Sequence, residues 1–135
     1  MSKVSVRYIV NDVDQALPFY RDMLGFNVDM HPAPGFAMIS RGDLRLLLSS
    51  PSTAPGGGQA RPGAVPEPGG WNRFALEVED VRAAADALRS AGVAFRTDVI
   101  EGVGGIQALV EDPSGNPIEI FQPTRPEARL EQPSG

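Results

Sequence analysis

Val10-Asn11-Asp12-Val13 is answered 68 residues later by Val78-Glu79-Asp80-Val81. The apolar positions that follow run in step: Val13, Ala16, Leu17 and Tyr20 in one copy, Val81, Ala84, Ala85 and Leu88 in the other. Both series follow i, i+3, i+4, i+7, the spacing of one face of an amphipathic helix. Asp12 and Asp80 stand where a carboxylate caps the free N–H groups of a first helical turn. Gly25 and Gly92 close the two copies, and a strand-like run follows each. A strand leading into a capped helix, repeated at half the chain length, predicts two tandem modules around a shared core. The period is too long and the copies too few for a solenoid.

Working outward, residues 4–10 alternate as a strand, with Val4, Val6, Tyr8 and Val10 on one face and Ser5, Arg7 and Ile9 on the other. The helix over about 13–24 contains Pro18 beyond its first turn, where a lost hydrogen bond predicts a kink. Residues 26–31, 35–40 and 43–49 read as three short strands parted by turn residues. Residues 51–70 hold eleven Pro or Gly in twenty, which builds no core and suits a connector or a loop over a site. The second module opens with a strand over 71–78, placing Phe74, Leu76 and Val78 against Arg73, Ala75 and Glu77. A helix over 81–90 ends before Gly92 at a C′ position. Strands over 93–99, 105–111 and 117–121 follow, the last two joined by the tight turn Asp112-Pro113-Ser114-Gly115-Asn116. Each half is therefore βαβββ. The expected layout is one domain: module one at 1–50, linker 51–70, module two at 71–122 and a polar tail at 123–135.

A length of 135 residues suits one domain with a real core. With no cysteine, disulfides, thiolate metal sites and a cysteine nucleophile are excluded. The net charge of −5, with scattered arginines, argues against nucleic-acid binding and leans toward cationic ligands. No apolar run reaches membrane-spanning length and the first residues carry no signal-peptide core, so a cytoplasmic protein without membrane contact is expected.

Three stretches resemble the vicinal oxygen chelate superfamily, which comprises glyoxalases, bleomycin-resistance proteins and dioxygenases. They are the first V-x-D-V with Phe19-Tyr20-Arg21-Asp22-Met23-Leu24-Gly25-Phe26, the second V-x-D-V with the run from Ala85 to Gly92, and the run from Glu111 to Ile120. The resemblance covers about residues 4–122. It implies an α+β fold in which two βαβββ modules form an incomplete eight-stranded barrel around a cup, commonly in a homodimer. Metal-dependent members hold one divalent ion with four side chains, on the first and last strand of each module. The matching positions here are Ser5, Leu47, Arg73 and Glu119. Leucine offers no donor and arginine brings a fixed positive charge, so no metal or other cofactor is expected. If a divalent cation is present, Glu119 is its ligand.

The candidate ligand-binding residues are Ser5, Arg7, Phe36, Met38, Leu47, Trp71, Arg73, Glu77 and Glu119. Arg73 and Glu119 are candidates for an ion pair, structural or ligand-orienting, with Glu77 as an alternative partner. Trp71, the single tryptophan, is either a rim hydrophobe or a stacking platform. Phe36 and Met38 serve the pocket or the core. His31, the single histidine, precedes Pro32 and is expected in an exposed turn, and the glycines of 102–105 are expected in a turn. The expected function is metal-independent binding of a small organic molecule, an aromatic or cationic natural product, in cups of a homodimer. This resembles sequestration by antibiotic-resistance members. The alternative is a glyoxalase-like lyase, isomerase or hydrolase, or a dioxygenase-related enzyme, with Glu119 or Glu77 as acid or base and Arg73 as oxyanion stabiliser.

Overall fold

The computed structural model describes residues 4–51 and 63–128. Of the expected connector or lid at 51–70, residues 52–62 lie outside the described residues, as do 129–135 of the expected tail. The described residues form two four-stranded sheets, neither closed, each with its own α-helix. Two compact units result. One takes the described residues up to Gly70 together with Asp112–Asn116; the other takes Trp71–Glu111 and the described residues from Pro117 onward.

In the first unit β1 (Val4–Ile9) leads into α1 (Val13–Pro18), followed by β2 (Asn27–Ala33), β3 (Phe36–Arg41) and β4 (Leu44–Ser49). The sheet order is β1-β4-β3-β2, with β1 parallel to β4. Asp12 caps α1 as expected, its carboxylate accepting from the N–H groups of Asp14 and Gln15. Val13, Ala16, Leu17 and Tyr20 are all buried. At Pro18, which has no N–H to give, the pattern changes. Residues Phe19–Met23 continue as a π-helix, so a wider hydrogen-bonding register stands where a kink was expected.

The turn Asp112–Asn116 completes this unit. The Asp112 carboxylate is buried and accepts four hydrogen bonds: from the N–H of Ser114 at 2.8 Å and of Asn116 at 2.9 Å, from Tyr20 Oη at 2.7 Å and from Asn116 Nδ2 at 3.0 Å. Asn116 Nδ2 also donates to the Ile9 carbonyl at 2.7 Å, and Ser114 Oγ accepts from the Asn11 N–H at 2.8 Å. Burial, then the neighbouring Asp112 carboxylate, pushes the Tyr20 phenol well above its ordinary pKa. Pro and Gly thus shape a turn whose Asp and Asn also tie β1 and the first helix.

In the second unit β5 (Ala75–Glu77), α2 (Val81–Ser90), β6 (Ile100–Glu101), β7 (Gly105–Glu111) and β8 (Pro117–Pro123) repeat the order β5-β8-β7-β6. Asp80 caps α2 through the Ala83 N–H. Gly92, at φ +84°, ends it with bonds from Gly92 N to Arg89 O and from Val93 N to Leu88 O, each 3.0 Å. Val81, Ala85 and Leu88 are buried while Ala84 is only half-buried. The helix packs on β7 and β8, over Ala108, Val110, Ile118 and Ile120.

Three strand expectations in this unit need correction. Residues 93–99 form no strand: Phe95 makes a single bridge to Val110, and β6 is only Ile100–Glu101. Thr97 Oγ1 takes the Leu109 N–H at 3.1 Å, so a side chain replaces a ladder bond there. The expected strand over 71–78 shortens to Ala75–Glu77, and β8 runs on to Pro123, two residues past the expected strand end and one into the segment read as tail. Gly105 pairs with Pro123, and a Cβ there would run into the Gln122 carbonyl and the Phe121 ring. Only glycine lets that ring lie so close to the strand. Among the described residues no helix is long and apolar enough to cross a membrane.

Candidate functional site

Side chains alternate across a strand, so the register decides which residues share a face. In the first sheet, Tyr8, Ala37, Ile39, Leu46 and Leu48 are buried. The opposite face carries three rows. Ser5, Arg45, Ser40 and Asn27 form the first; Arg7, Leu47, Met38 and Met30 the second; Ile9, Ser49, Phe36 and Ala33 the third. All five candidates of this module, Ser5, Arg7, Phe36, Met38 and Leu47, therefore sit on one face. Arg7 donates to Ser49 Oγ at 3.1 Å.

In the second sheet, Leu76, Ala108, Val110, Ile118 and Ile120 are buried on the helix side. The other face again has three rows, extended by the residue preceding β5. Arg73 precedes the register, which continues with Pro117 and Glu111; then come Ala75, Glu119 and Leu109; then Glu77, Phe121 and Gln107. Arg73 Nε and a terminal guanidinium nitrogen both lie 3.1 Å from Glu119 Oε1. The pair is partly shielded, with side chains 29% and 16% exposed. Of the two carboxylates considered as partners for Arg73, Glu119 makes the bond. Arg73 also donates to the Trp71 carbonyl at 3.3 Å.

Trp71 is 67% exposed, and the Arg96 guanidinium lies over its ring, 4.6 Å from the centroid. Arg96 is itself anchored by Glu111, Nε to Oε2 at 2.7 Å. A cation over an indole contributes about 0.5–1 kcal/mol at such an exposed site. Trp71, Arg73 and Glu119 are thus joined with Arg96 and Glu111 in one cluster. Glu77 faces the same way and lines a shallow pocket of about 430 Å³ with Val78, Glu79, Gln122 and Pro123. His31, expected in a turn, lies instead within β2, its Nε2 3.5 Å from Asp14 Oδ1.

The donor set does not fit a divalent ion. By register Leu47 lies opposite Arg7, and Glu119 opposite Ala75, 68 residues on, so the two last-strand positions correspond. Leu47 supplies no donor, Ser5 only a hydroxyl, and the Glu119 carboxylate is bonded by a fixed positive charge. Among the described residues no three His, Asp or Glu side chains gather as a metal site requires.

Sequence reasoning passed over Arg45, Ser40, Arg96, Glu111 and Phe121. Arg45 carried a usable signal, since it shares its strand parity with Leu47. Arg96 carried none, because its segment is not the regular strand its alternation suggests.

This architecture and register are those of a known family. The chain belongs to the Glyoxalase/Bleomycin resistance protein/Dioxygenase superfamily, whose family profile matches residues 4–120. Among solved structures it is similar to TnmS3, an antibiotic binding protein from Streptomyces sp. CB03234. The two are 25% identical with a TM-score of 0.70, over 92% of this chain and 97% of that one. A superfamily member from Sphaerobacter thermophilus DSM 20745 is 26% identical, with a TM-score of 0.70 over 90% and 97% of the two chains. A lactoylglutathione lyase from Agrobacterium tumefaciens, 20% identical with a TM-score of 0.69 over 90% and 92%, shares the fold. A comparison with curated proteins finds no match.

Proposed function

We propose that this protein binds a small aromatic natural product and holds it by stacking and ion-paired side chains, without a metal ion and without turning it over. The observation that carries this is Trp71, an exposed indole braced on one side by Arg96. A large apolar ring held in place at the surface is a ready platform for a planar partner. Arg73 and Glu119 beside it orient polar groups of the ligand, and Glu77 extends the polar rim. The similarity to TnmS3, described as an antibiotic binding protein, supports the same reading. A homodimer is part of the proposal and is checked by sedimentation.

Trp71 is the single tryptophan, so its emission reports on this site alone. Titration with a panel of planar aromatic natural products should quench it for at least one member. Trp71→Ala should weaken that binding about tenfold or more, read by calorimetry, while Trp71→Phe keeps most of it. No quenching by any member would overturn the proposal. Turnover of a bound member, lost in Glu119→Gln with binding intact, would replace it with the lyase, isomerase or hydrolase reading.

A further inference from the structure

Arg45 is half-buried at the second position of β4, and among the described residues nothing hydrogen-bonds or ion-pairs with its guanidinium. A partly desolvated cation without a counter-charge is costly, so its surroundings show what compensates it. Its register neighbours on the two adjacent strands carry hydroxyls. Arg45 lies opposite Ser5 on β1 and opposite Ser40 on β3, so one strand spacing separates it from each. The three rows of this face contain no Asp or Glu. The next row, beside Arg45, places Leu47 and Met38 at its centre.

We propose that the open face of the first sheet holds an anionic subsite, in which Arg45, Ser5 and Ser40 bind the oxyanion head of an amphipathic ligand while Leu47 and Met38 pack its apolar body. The guanidinium supplies a two-pronged donor suited to a carboxylate or phosphate, and the hydroxyls rotate to donate to the same oxygens. The second sheet offers no equivalent. The register counterparts of Arg45 and Ser40 there are Pro117 and Glu111, and Glu111 already takes Arg96. All residues of the subsite lie in the first unit, so the proposal stands independently of stacking on Trp71.

The test titrates the full chain, labelled with ¹⁵N, at low salt with 4-phenylbutyrate, 4-phenylbutylamine and inorganic phosphate. The carboxylate should shift the amide signals of Ser5, Ser40 and Arg45 and bind more weakly as salt rises. Arg45→Gln should weaken it about tenfold or more, the effect of losing a charged hydrogen bond. Arg45→Lys should recover part of the loss, and Arg21→Gln, at an exposed position of the π-helix, should leave binding unchanged. Equal binding of amine and carboxylate would overturn the proposal. So would shifts confined to other strands, or unaltered binding by a folded Arg45→Gln. Inorganic phosphate binding as tightly as 4-phenylbutyrate would overturn the role of Leu47 and Met38.

Discussion

The open faces of the two sheets share a register and differ in charge. On the first, Arg7 bonds a serine, Arg45 has serines for neighbours, and the rows contain no carboxylate. On the second, Arg73 is taken by Glu119 and Arg96 by Glu111. Duplication preserved the backbone, since Arg7 facing Leu47 and Ala75 facing Glu119 occupy the same place in each sheet. The side chains then diverged. The second face pairs Arg73 and Arg96 with carboxylates and adds an aromatic ring; the first leaves Arg45, among the described residues, without a counter-charge beside an apolar row. A repeat therefore predicts geometry well and chemistry poorly. The two faces are to be tested as separate sites, not as halves assumed alike.

The comparison depends on the first sheet holding its register, and the turn Asp112–Asn116 is what most exposes that dependence. The corresponding β3–β4 turn is only Gly42 and Asp43, with no buried carboxylate. Asp112→Ala would leave the Tyr20 hydroxyl, the Asn116 amide and two backbone N–H groups without their acceptor. The expected loss is about 3 kcal/mol in a denaturant titration, the largest effect here. Amide exchange should show protection lost first around Val10, Asn11 and Tyr20, and last in α2. Equal loss in both units would mean that the turn does not belong energetically to the first.

Much of this was legible beforehand, for physical reasons. The two helices follow from period and cap, which are local, and Asp12, Asp80 and Gly92 act as their positions require. The Arg73–Glu119 contact was one of two pairings left open, marked by the positions that the family resemblance implies, with Glu77 the other candidate; the structure makes it with Glu119. The strand at 93–99 failed because Thr97 competes with the ladder for Leu109, a tertiary effect that no alternation pattern carries. The turn at 112–116 was read correctly as a turn, but its bonds to Ile9 and Tyr20 span about a hundred residues, beyond any local signal. Arg45 was hidden among leucines, where parity alone marks it as facing the other way.

The same buried network gives the first unit a pH signature. The Tyr20 phenol is held protonated above its ordinary pKa by burial and by Asp112. Below about pH 10, tyrosine keeps its proton both folded and unfolded, so Tyr20 adds no slope to stability there. Above that, the unfolded chain releases a proton that the native state retains, and stability falls as pH rises. The slope contributed by this group is up to about 1.4 kcal/mol per pH unit until its raised pKa is reached. Tyr20→Phe should flatten the stability profile above pH 10 relative to wild type. An unchanged alkaline slope would mean that the phenol is not protected in this way.

The smallest expected effect is the most direct attack on the comparison. Glu119→Leu places on the second sheet the residue that its counterpart Leu47 places on the first. Arg73 then loses its carboxylate while staying partly shielded, a state close to that of Arg45. The stability cost should be about 1 kcal/mol, because the pair is accessible enough for water to replace part of the lost bond. The informative change is in binding. If self-neutralisation is what separates the faces, 4-phenylbutyrate should now shift the amide signals of Arg73 and Ala75, which it leaves alone in the wild type. If it does not, the serines beside Arg45 are essential to the anionic subsite, because an unpaired arginine on the same scaffold is then insufficient to make one.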